Sequence, residues 1–201
     1  MQEKLRTIGD GKYTPVSSIQ MENIEVPALP PDIFTQIANI YGITHYDKEE
    51  LERCSVFDNN DGTRLYVLEE KGHNLDRGVV HRTNFVDYVG DTYAGFLLIQ
   101  FETVAEMSRD TGRLSGVPHV VDTQTRHSKG TEDLDFRLRG LATRRLIAAN
   151  AYSIQKLHKP LYSGRLFLSH WAKKIWLNLV RTGAAEESEV QGHEFRFKEH
   201  I

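Results

Sequence analysis

Hydrophobic residues follow two periodicities along this chain, and each predicts a different kind of element. Alternating or continuous apolar runs rich in Val, Ile and aromatic residues predict strands, which lie at residues 18–26, 64–69, 93–101, 117–122 and 160–162. Apolar residues spaced three and four apart predict helices at 31–42, 141–157 and 168–183, and a second short helix is expected at 46–53. The tail, residues 186–198, alternates and predicts an antiparallel hairpin.

Turn and capping residues define the ends of the predicted helices. Pro31 suits the first turn of the first helix, Asp32 favours its positive N-terminus, and Gly42 ends it. Gly183 ends the last helix in the same way. Consecutive strands in the middle of the chain must pair antiparallel, whereas a helical crossover allows one parallel pair. The order β-α-α-β-β-β-α-β-α-β-β therefore predicts an α+β (mixed α/β) fold, with a mostly antiparallel sheet and helices on both faces.

Length and composition place these elements in one domain. The chain has 201 residues, of which 39% are hydrophobic and 26% charged, and this is enough to bury one core. We interpret residues 1–201 as a single domain that carries a polar insertion at about residues 71–91, with room for an extra hairpin. The insertion contains His73 and His81, but their spacing is not that of metal ligands, and no metal is expected.

Charge and cysteine content limit the partners and the compartment. Lys and Arg total 25 against 28 for Asp and Glu, so general nucleic-acid binding is not expected. The first eleven residues contain no apolar run typical of a signal peptide, and no apolar stretch approaches the roughly 20 residues of a membrane helix. The single cysteine, Cys54, excludes an internal disulfide and fits a reducing compartment. We expect a cytoplasmic protein without a membrane partner and leave a homodimer open.

The strongest chemical signal is the hexapeptide Arg-Leu-Arg-Gly-Leu-Ala at residues 137–142, between a predicted strand and a predicted helix. The first backbone N–H groups of a helix have no intrahelical partner, so small residues such as Gly140 and Ala142 let an anion approach them. Residues 126–145 hold six Lys or Arg against three acidic residues. This pattern predicts a site for a small ligand that carries phosphates. The alternative is a glycine that merely eases a turn beside solvated arginines.

The hexapeptide resembles the acyl-CoA loop of the GCN5-related N-acetyltransferase family, Arg/Gln-x-x-Gly-x-Gly/Ala, which joins that family's fourth strand to its third helix. The resemblance covers nearly the whole chain. The helix pair that begins at Pro31 resembles the family's substrate-side helices, and residues 160–164 resemble its fifth strand. The pattern at 168–183 resembles the helix that flanks the CoA thiol. Residues 161–164 with that helix are also similar to small acetyltransferase-like proteins of bacteriophages.

This resemblance implies a sheet that splays between its fourth and fifth strands, acetyl-CoA as co-substrate, and transfer to an amine of a small molecule or protein. Backbone N–H groups of the loop would bind the CoA pyrophosphate, and arginines would lie near the phosphates. The fourth strand would pair with pantetheine, and the N–H of Val121 or Asp122 would polarise the thioester carbonyl. The implied acyl-CoA contacts are Val120, Val121, Arg137, Arg139, Gly140, Leu141, Ala142, Arg144 or Arg145, and Ser169.

Amine acetylation requires a base, because an amine with a pKa near 10.4 is mostly protonated at pH 7. The candidates are Asp122, Glu102 and His119, with His127 as a further histidine. Asp122 closes an apolar run, where partial burial would raise its pKa into a useful range. Its alternative role is that of a turn residue at the end of a strand.

The departing thiolate is usually met in this family by a tyrosine on the last helix, where this chain has Trp176. An indole N–H cannot deliver a proton at neutral pH. Tyr162, Ser163 or water could take over this role, and Trp171 and Trp176 are expected in the core. Three interpretations stay open: an N-acetyltransferase, a catalytically silent module that binds CoA or a protein, and an acyltransferase that modifies a nucleobase or a host protein.

Overall fold

A computed structural model of the chain describes residues 22–23, 29–58, 62–75, 78–104, 116–126, 140–164, 168–190 and 192–198. The helices in these ranges are α1 (Ile33–Tyr41), α2 (Leu141–Tyr152), which continues as a π-helical turn (Ser153–Leu157), and α3 (His170–Arg181). The strands are β1 (Glu22–Asn23), β2 (Leu51–Asp58), β3 (Thr63–Glu70), β4 (His73–Leu75), β5 (Gly78–Val89), β6 (Thr92–Val104), β7 (His119–Thr125), β8 (Ala185–Glu187) and β9 (Phe195–Phe197).

Seven of these strands form one sheet in the order β1-β2-β3-β5-β6-β7, with β4 paired to β5. All of its neighbouring strands are antiparallel. The strands β8 and β9 form the predicted antiparallel hairpin of the tail. Tyr162 joins the two units, through a parallel bridge to His119 and an antiparallel bridge to Arg196. The predicted α+β fold with a mostly antiparallel sheet is confirmed.

Helices cover both faces of the sheet, as predicted, and each face has its own core. Ile33 and Ile37 of α1 pack on one face, together with Leu68, Val86 and Leu98 of the strands. We call this the α1 face. Helices α2 and α3 pack on the other face, the α2 face, where the buried residues include Val67, Phe85, Leu97, Ile99, Leu146, Ala149, Trp176 and Leu179.

The interpretation of residues 71–91 as a polar insertion is wrong, because most of this segment is the central strand β5. The side chains of Phe85 and Val86 are fully buried on opposite faces of the sheet. The polar residues of β5 have partners inside the fold: Asn84 donates a hydrogen bond to Glu70, and Asp87 accepts one from Arg145. The extra hairpin is present as β4 paired with the beginning of β5.

The second short helix predicted at residues 46–53 is wrong, because the segment holds one helical turn followed by the beginning of a strand. Lys48–Glu50 form one turn of 3-10 helix, capped by the Asp47 side chain, and β2 begins at Leu51. The two tryptophans differ: Trp176 is 1% exposed, which confirms its predicted place in the core, whereas Trp171 is 63% exposed and that prediction is wrong. None of the helices in the described ranges has the length and apolar character needed to cross a membrane.

The buried thiol of Cys54 gives a simple check of the α1-face core. Burial raises the pKa of Cys54 to about 12, with Glu69 adding to the shift. Because the thiolate is the reactive form, native protein is expected to react with iodoacetamide at pH 8 at least 100-fold more slowly than protein unfolded in guanidinium chloride. Mass spectrometry over time measures both rates. Equal rates would show that Cys54 is accessible and that the packing described here is wrong.

Candidate functional site

The candidate site begins at β7, the last strand of the sheet. Val120 pairs with Ile99 of β6, and Asp122 pairs with Leu98, so Val121 is the extra residue of a β-bulge. The side chain of Val121 is 48% exposed. A bulge leaves its extra residue outside the ladder and bends the strand locally. The bulge therefore lies at Val121, one of the two residues whose N–H is predicted to polarise the thioester carbonyl.

The outer edge of β7 is paired only at its beginning. Tyr162 donates its backbone N–H to the Pro118 carbonyl at 2.9 Å and accepts from the Val120 N–H at 3.1 Å. Ser163 then donates to the Phe195 carbonyl at 2.9 Å, so the chain turns from β7 to β9. Within the described residues, no strand pairs with the outer edge of β7 from Val121 to Thr125.

Helix α2 begins beside the far end of this open edge. Gly140 lies at its N-cap with φ of 75°, in the left-handed region that favours glycine. Gly140 has no side chain that could cap the helix, and the first turn of α2 holds no acidic residue. The N–H groups at positions 141–143 are therefore donors without a helical partner, at the positive end of the helix. Arg137 and Arg139, the other residues predicted for this loop, lie outside the described residues.

A buried ion pair fixes α2 against the sheet. Arg145 and Asp87 are both fully buried, and Arg145 Nη1 donates to Asp87 Oδ2 at 2.7 Å. The Nη2 group of Arg145 also donates to the Gln124 carbonyl and to Thr125 Oγ1 at the end of β7. A Cβ at Gly95 would lie 2.8 Å from Arg145 Nη1, so only glycine leaves space for the guanidinium. Arg145 therefore joins the end of β7 to the beginning of α2.

Three further residues predicted to contact acyl-CoA already have hydrogen-bond partners within the fold. Arg144 donates to Thr63 Oγ1 at 2.6 Å and to Asp87 at 3.2 Å, so a phosphate would have to share its guanidinium. Ser169 is the N-cap of α3 and accepts the Ala172 N–H at 3.2 Å. The amide of Val120 is already bound to Tyr162. Of the two predicted contacts on β7, Val120 and Val121, only Val121 lies on the part of the outer edge that no described strand pairs with.

The three predicted bases lie in different environments. Asp122 is exposed, and its Oδ1 accepts the N–H of Thr123, so the burial that favoured it is not found. Glu102 is half-buried on β6 and accepts a hydrogen bond from Gln100 at 2.8 Å. His119 is 5% exposed, and its Nδ1 lies 3.2 Å from the Val117 carbonyl. As the donor in that contact, Nδ1 would leave the basic lone pair on Nε2. His127 lies outside the described residues.

The two predicted acids also differ. Ser163 is fully buried, and its hydroxyl accepts the backbone N–H groups of Glu194 and Phe195, both at 3.1 Å. These bonds give it a structural role in the tail hairpin. Tyr162 is 6% exposed and lies with its ring centroid 5.6 Å from that of His193. Arg196 donates a hydrogen bond to the Tyr162 phenol, and this bond is the largest cause of the raised pKa of Arg196.

His193, which no sequence pattern indicated, lies at the junction of β7 with residues 160–164. Its ring centroid is 5.4 Å from that of His119, and its Nδ1 contacts the Ser163 carbonyl at 2.5 Å. Two imidazoles and the Tyr162 phenol thus meet where the chain departs from β7. In the described part of the chain, no three His, Cys, Asp or Glu side chains are grouped as metal ligands.

Comparison of the chain with known protein families, with curated proteins and with solved structures finds no match.

Proposed function

We propose that this protein is an acetyl-CoA-dependent N-acetyltransferase of the GCN5-related type, which transfers an acetyl group to an amine by direct attack on the thioester. The observation that carries the proposal is the outer edge of β7, which no described strand pairs with from Val121 to Thr125. This edge has the bulge at Val121 and the N-terminus of α2, where Gly140 is the N-cap, at its far end. A ligand that is extended at one end and anionic at the other matches this arrangement. Acetyl-CoA has this shape.

In this proposal the pyrophosphate binds the N–H groups at positions 141–143, which have no intrahelical partner, next to Gly140. The pantetheine arm runs along the edge of β7 towards the bulge. The N–H of Val121 or Asp122 then donates to the thioester oxygen as negative charge develops on it. Arg145 positions these two parts of the site relative to each other, since it binds both Asp87 and the end of β7.

The reaction exchanges one bond for another. The neutral amine nitrogen attacks the thioester carbon, the C–N bond forms, the C–S bond breaks, and CoA leaves as a thiolate. A base takes the proton that the amine nitrogen loses, and we assign this role to His119 because it lies at the junction beside the bulge. The thiolate takes up a proton from Tyr162 or from water, which restores CoA as a thiol.

Transfer of radiolabel from acetyl-CoA tests this function. We expect label in small primary amines or in lysine residues of proteins, and no label in DNA, since the net charge of the chain is −3. Label found only in DNA would favour the nucleobase-modifying alternative. If acetyl-CoA binds but no acceptor becomes labelled, the chain is a silent binding module and the proposed activity is wrong.

Replacing Tyr162 by phenylalanine is expected to lower the turnover number at least tenfold, because proton transfer by a positioned group contributes about 10²- to 10⁴-fold. The aromatic ring and its packing on His193 are kept. Steady-state kinetics and acetyl-CoA affinity are measured on the same sample, and affinity should not change. Tyr66→Phe, which removes a buried phenol elsewhere on the α1 face, is the matched control. Equal turnover in both variants would show that Tyr162 is structural.

A further inference from the structure

A row of polar side chains crosses the α1 face from β5 to the tail hairpin. Arg82 pairs with Gln100, Gln100 pairs with His119, and His119 pairs with Tyr162. Directly opposed residues on adjacent strands point to the same face of a sheet. Gln100 lies two positions after Leu98, a core residue of the α1 face, so the whole row is on that face. We call these four residues the polar row.

Arg82 forms one end of the polar row. Its guanidinium is held in place, but its two terminal nitrogen atoms have no partner among the described residues. Arg82 Nε donates to Gln100 Oε1 at 3.3 Å, and Arg82 Cζ lies 5.4 Å from the ring centroid of Tyr41. Its Nη1 and Nη2 groups have no hydrogen-bond partner in the described ranges. A planar guanidinium held at Nε and at its face presents two parallel donors, which match a carboxylate.

The Tyr41 ring beneath Arg82 is itself fixed by a buried acid. The Tyr41 hydroxyl donates to Glu70 Oε1, which also accepts from Asn84 Nδ2 at 2.7 Å. Burial, the charge of Glu70 and this hydrogen bond raise the pKa of Tyr41, so the phenol stays protonated as a donor. Glu70 is 3% exposed and is occupied by these contacts. It therefore supports the position of Arg82 and does not compete for a ligand.

A second carboxylate lies two residues beyond Gln100 on the same face. Glu102 Oε1 accepts from Gln100 Nε2 at 2.8 Å, and the group is half-buried. Gln100 thus links a cation and an anion, because its oxygen accepts from Arg82 and its amide donates to Glu102. Arg82 and His119 lie two strands apart, so their backbones are separated by about 10 Å, which is comparable to the length of a small molecule.

We propose that the polar row binds the acceptor of the acetyl group and that this acceptor is an amine that also bears a carboxylate, as a free amino acid does. Arg82 binds the carboxylate through its two open donors. Glu102 attracts the amine, which lies beside His119. The inference rests on the proposed function for its role in transfer, while the binding of the amino acid is testable without acetyl-CoA.

Isothermal titration of the whole protein with L-lysine and with 1,5-diaminopentane, which differs only in lacking the carboxylate, tests this inference. We expect lysine to bind at least tenfold more tightly than the diamine. Arg82→Gln should abolish that difference by weakening lysine binding at least tenfold, while the affinity for the diamine stays the same. Glu102→Gln should weaken both ligands. The control is Arg64→Gln, which removes an exposed arginine at the beginning of β3, away from the polar row.

Three other results are informative. Equal affinities for the two ligands in the wild-type protein, or an unchanged preference for lysine in Arg82→Gln, would overturn the inference. No binding of either ligand would also overturn it. A separate titration with acetyl-CoA on the same preparation distinguishes the two proposals: if acetyl-CoA does not bind while lysine binds through Arg82, the acetyltransferase proposal is wrong and the amino acid site stands.

Discussion

Replacing Asp87 by alanine is expected to destabilise the protein by about 3–5 kcal/mol, the cost of leaving a buried charge without its partner. Asp87 is fully buried and accepts hydrogen bonds from both Arg144 and Arg145. Its loss leaves the Arg145 guanidinium, which is 0% exposed, without its counter-ion. Urea unfolding followed by circular dichroism measures the change in the free energy of unfolding.

Two further variants make this prediction specific. Asp58→Ala removes an exposed carboxylate whose oxygen lies 3.5 Å from Arg64, and we expect a loss below about 1 kcal/mol. Asp87→Asn keeps the shape of the side chain and is expected to lose less stability than Asp87→Ala. The Asn variant therefore provides a folded sample. If Asp87→Ala and Asp58→Ala lose equal stability, the buried pair does not hold α2 on the sheet, and the described packing is wrong.

Replacing Gly140 by valine is expected to weaken acyl-CoA binding at least 100-fold while the protein stays folded. Gly140 has φ of 75°, which a β-branched residue adopts only with strain, and a side chain at this position would block the approach of a phosphate to the helix N-terminus. The dissociation constant for acetyl-CoA and the melting temperature are measured together. We expect the strain to lower stability by roughly 1–2 kcal/mol.

Gly183→Val separates strain from binding. Gly183 has φ of 80°, and a Cβ there would meet no atom within 4 Å, so this variant carries the same backbone strain at the end of α3, away from the proposed site. It should lose similar stability and keep its affinity for acetyl-CoA. If both variants bind acetyl-CoA equally well, Gly140 serves only the turn, and the loop is not an anion site.

Elements whose signals are local in sequence were predictable. Helix α1 has its apolar positions at Ile33 and Ile37 and ends at Gly42, whose φ of 65° is the left-handed cap that glycine favours. The end of the helix follows from Gly42, whereas its beginning lies at Ile33, two residues after the predicted start at Pro31. The tail hairpin was predictable for the same reason, because its alternation is contained within a few residues.

Strand β5 was missed because its polar residues find partners far away in sequence. Asp87 meets Arg145 and Asn84 meets Glu70, so groups that indicate a solvated loop in the sequence are buried in the fold. The tryptophans show a different limit. At 3.6 residues per turn, Trp171 and Trp176 point about 140° apart, so they lie near opposite edges of the predicted apolar stripe. Periodicity admitted both, and only the structure shows that Trp176 is the buried one.

The candidate site was predictable only in part. The glycine at the start of α2 could be identified because a short motif lies between a strand and a helix signal. The meeting of His119, Tyr162 and His193 could not, because it depends on the pairing of three segments distant in sequence. The polar row has the same origin, since strand register decides which residues are neighbours.

Binding of CoA to the wild-type protein tests the central claim most directly, and thermal unfolding with increasing CoA measures it. At about 100 times its dissociation constant, a ligand of the folded state adds roughly 2.7 kcal/mol, which for a chain of this size raises the melting temperature by about 5 °C or more. We predict such a shift with CoA and a much smaller one with pantetheine, which lacks the phosphates bound at α2. An unchanged melting temperature at millimolar CoA would contradict the proposed acyl-CoA site.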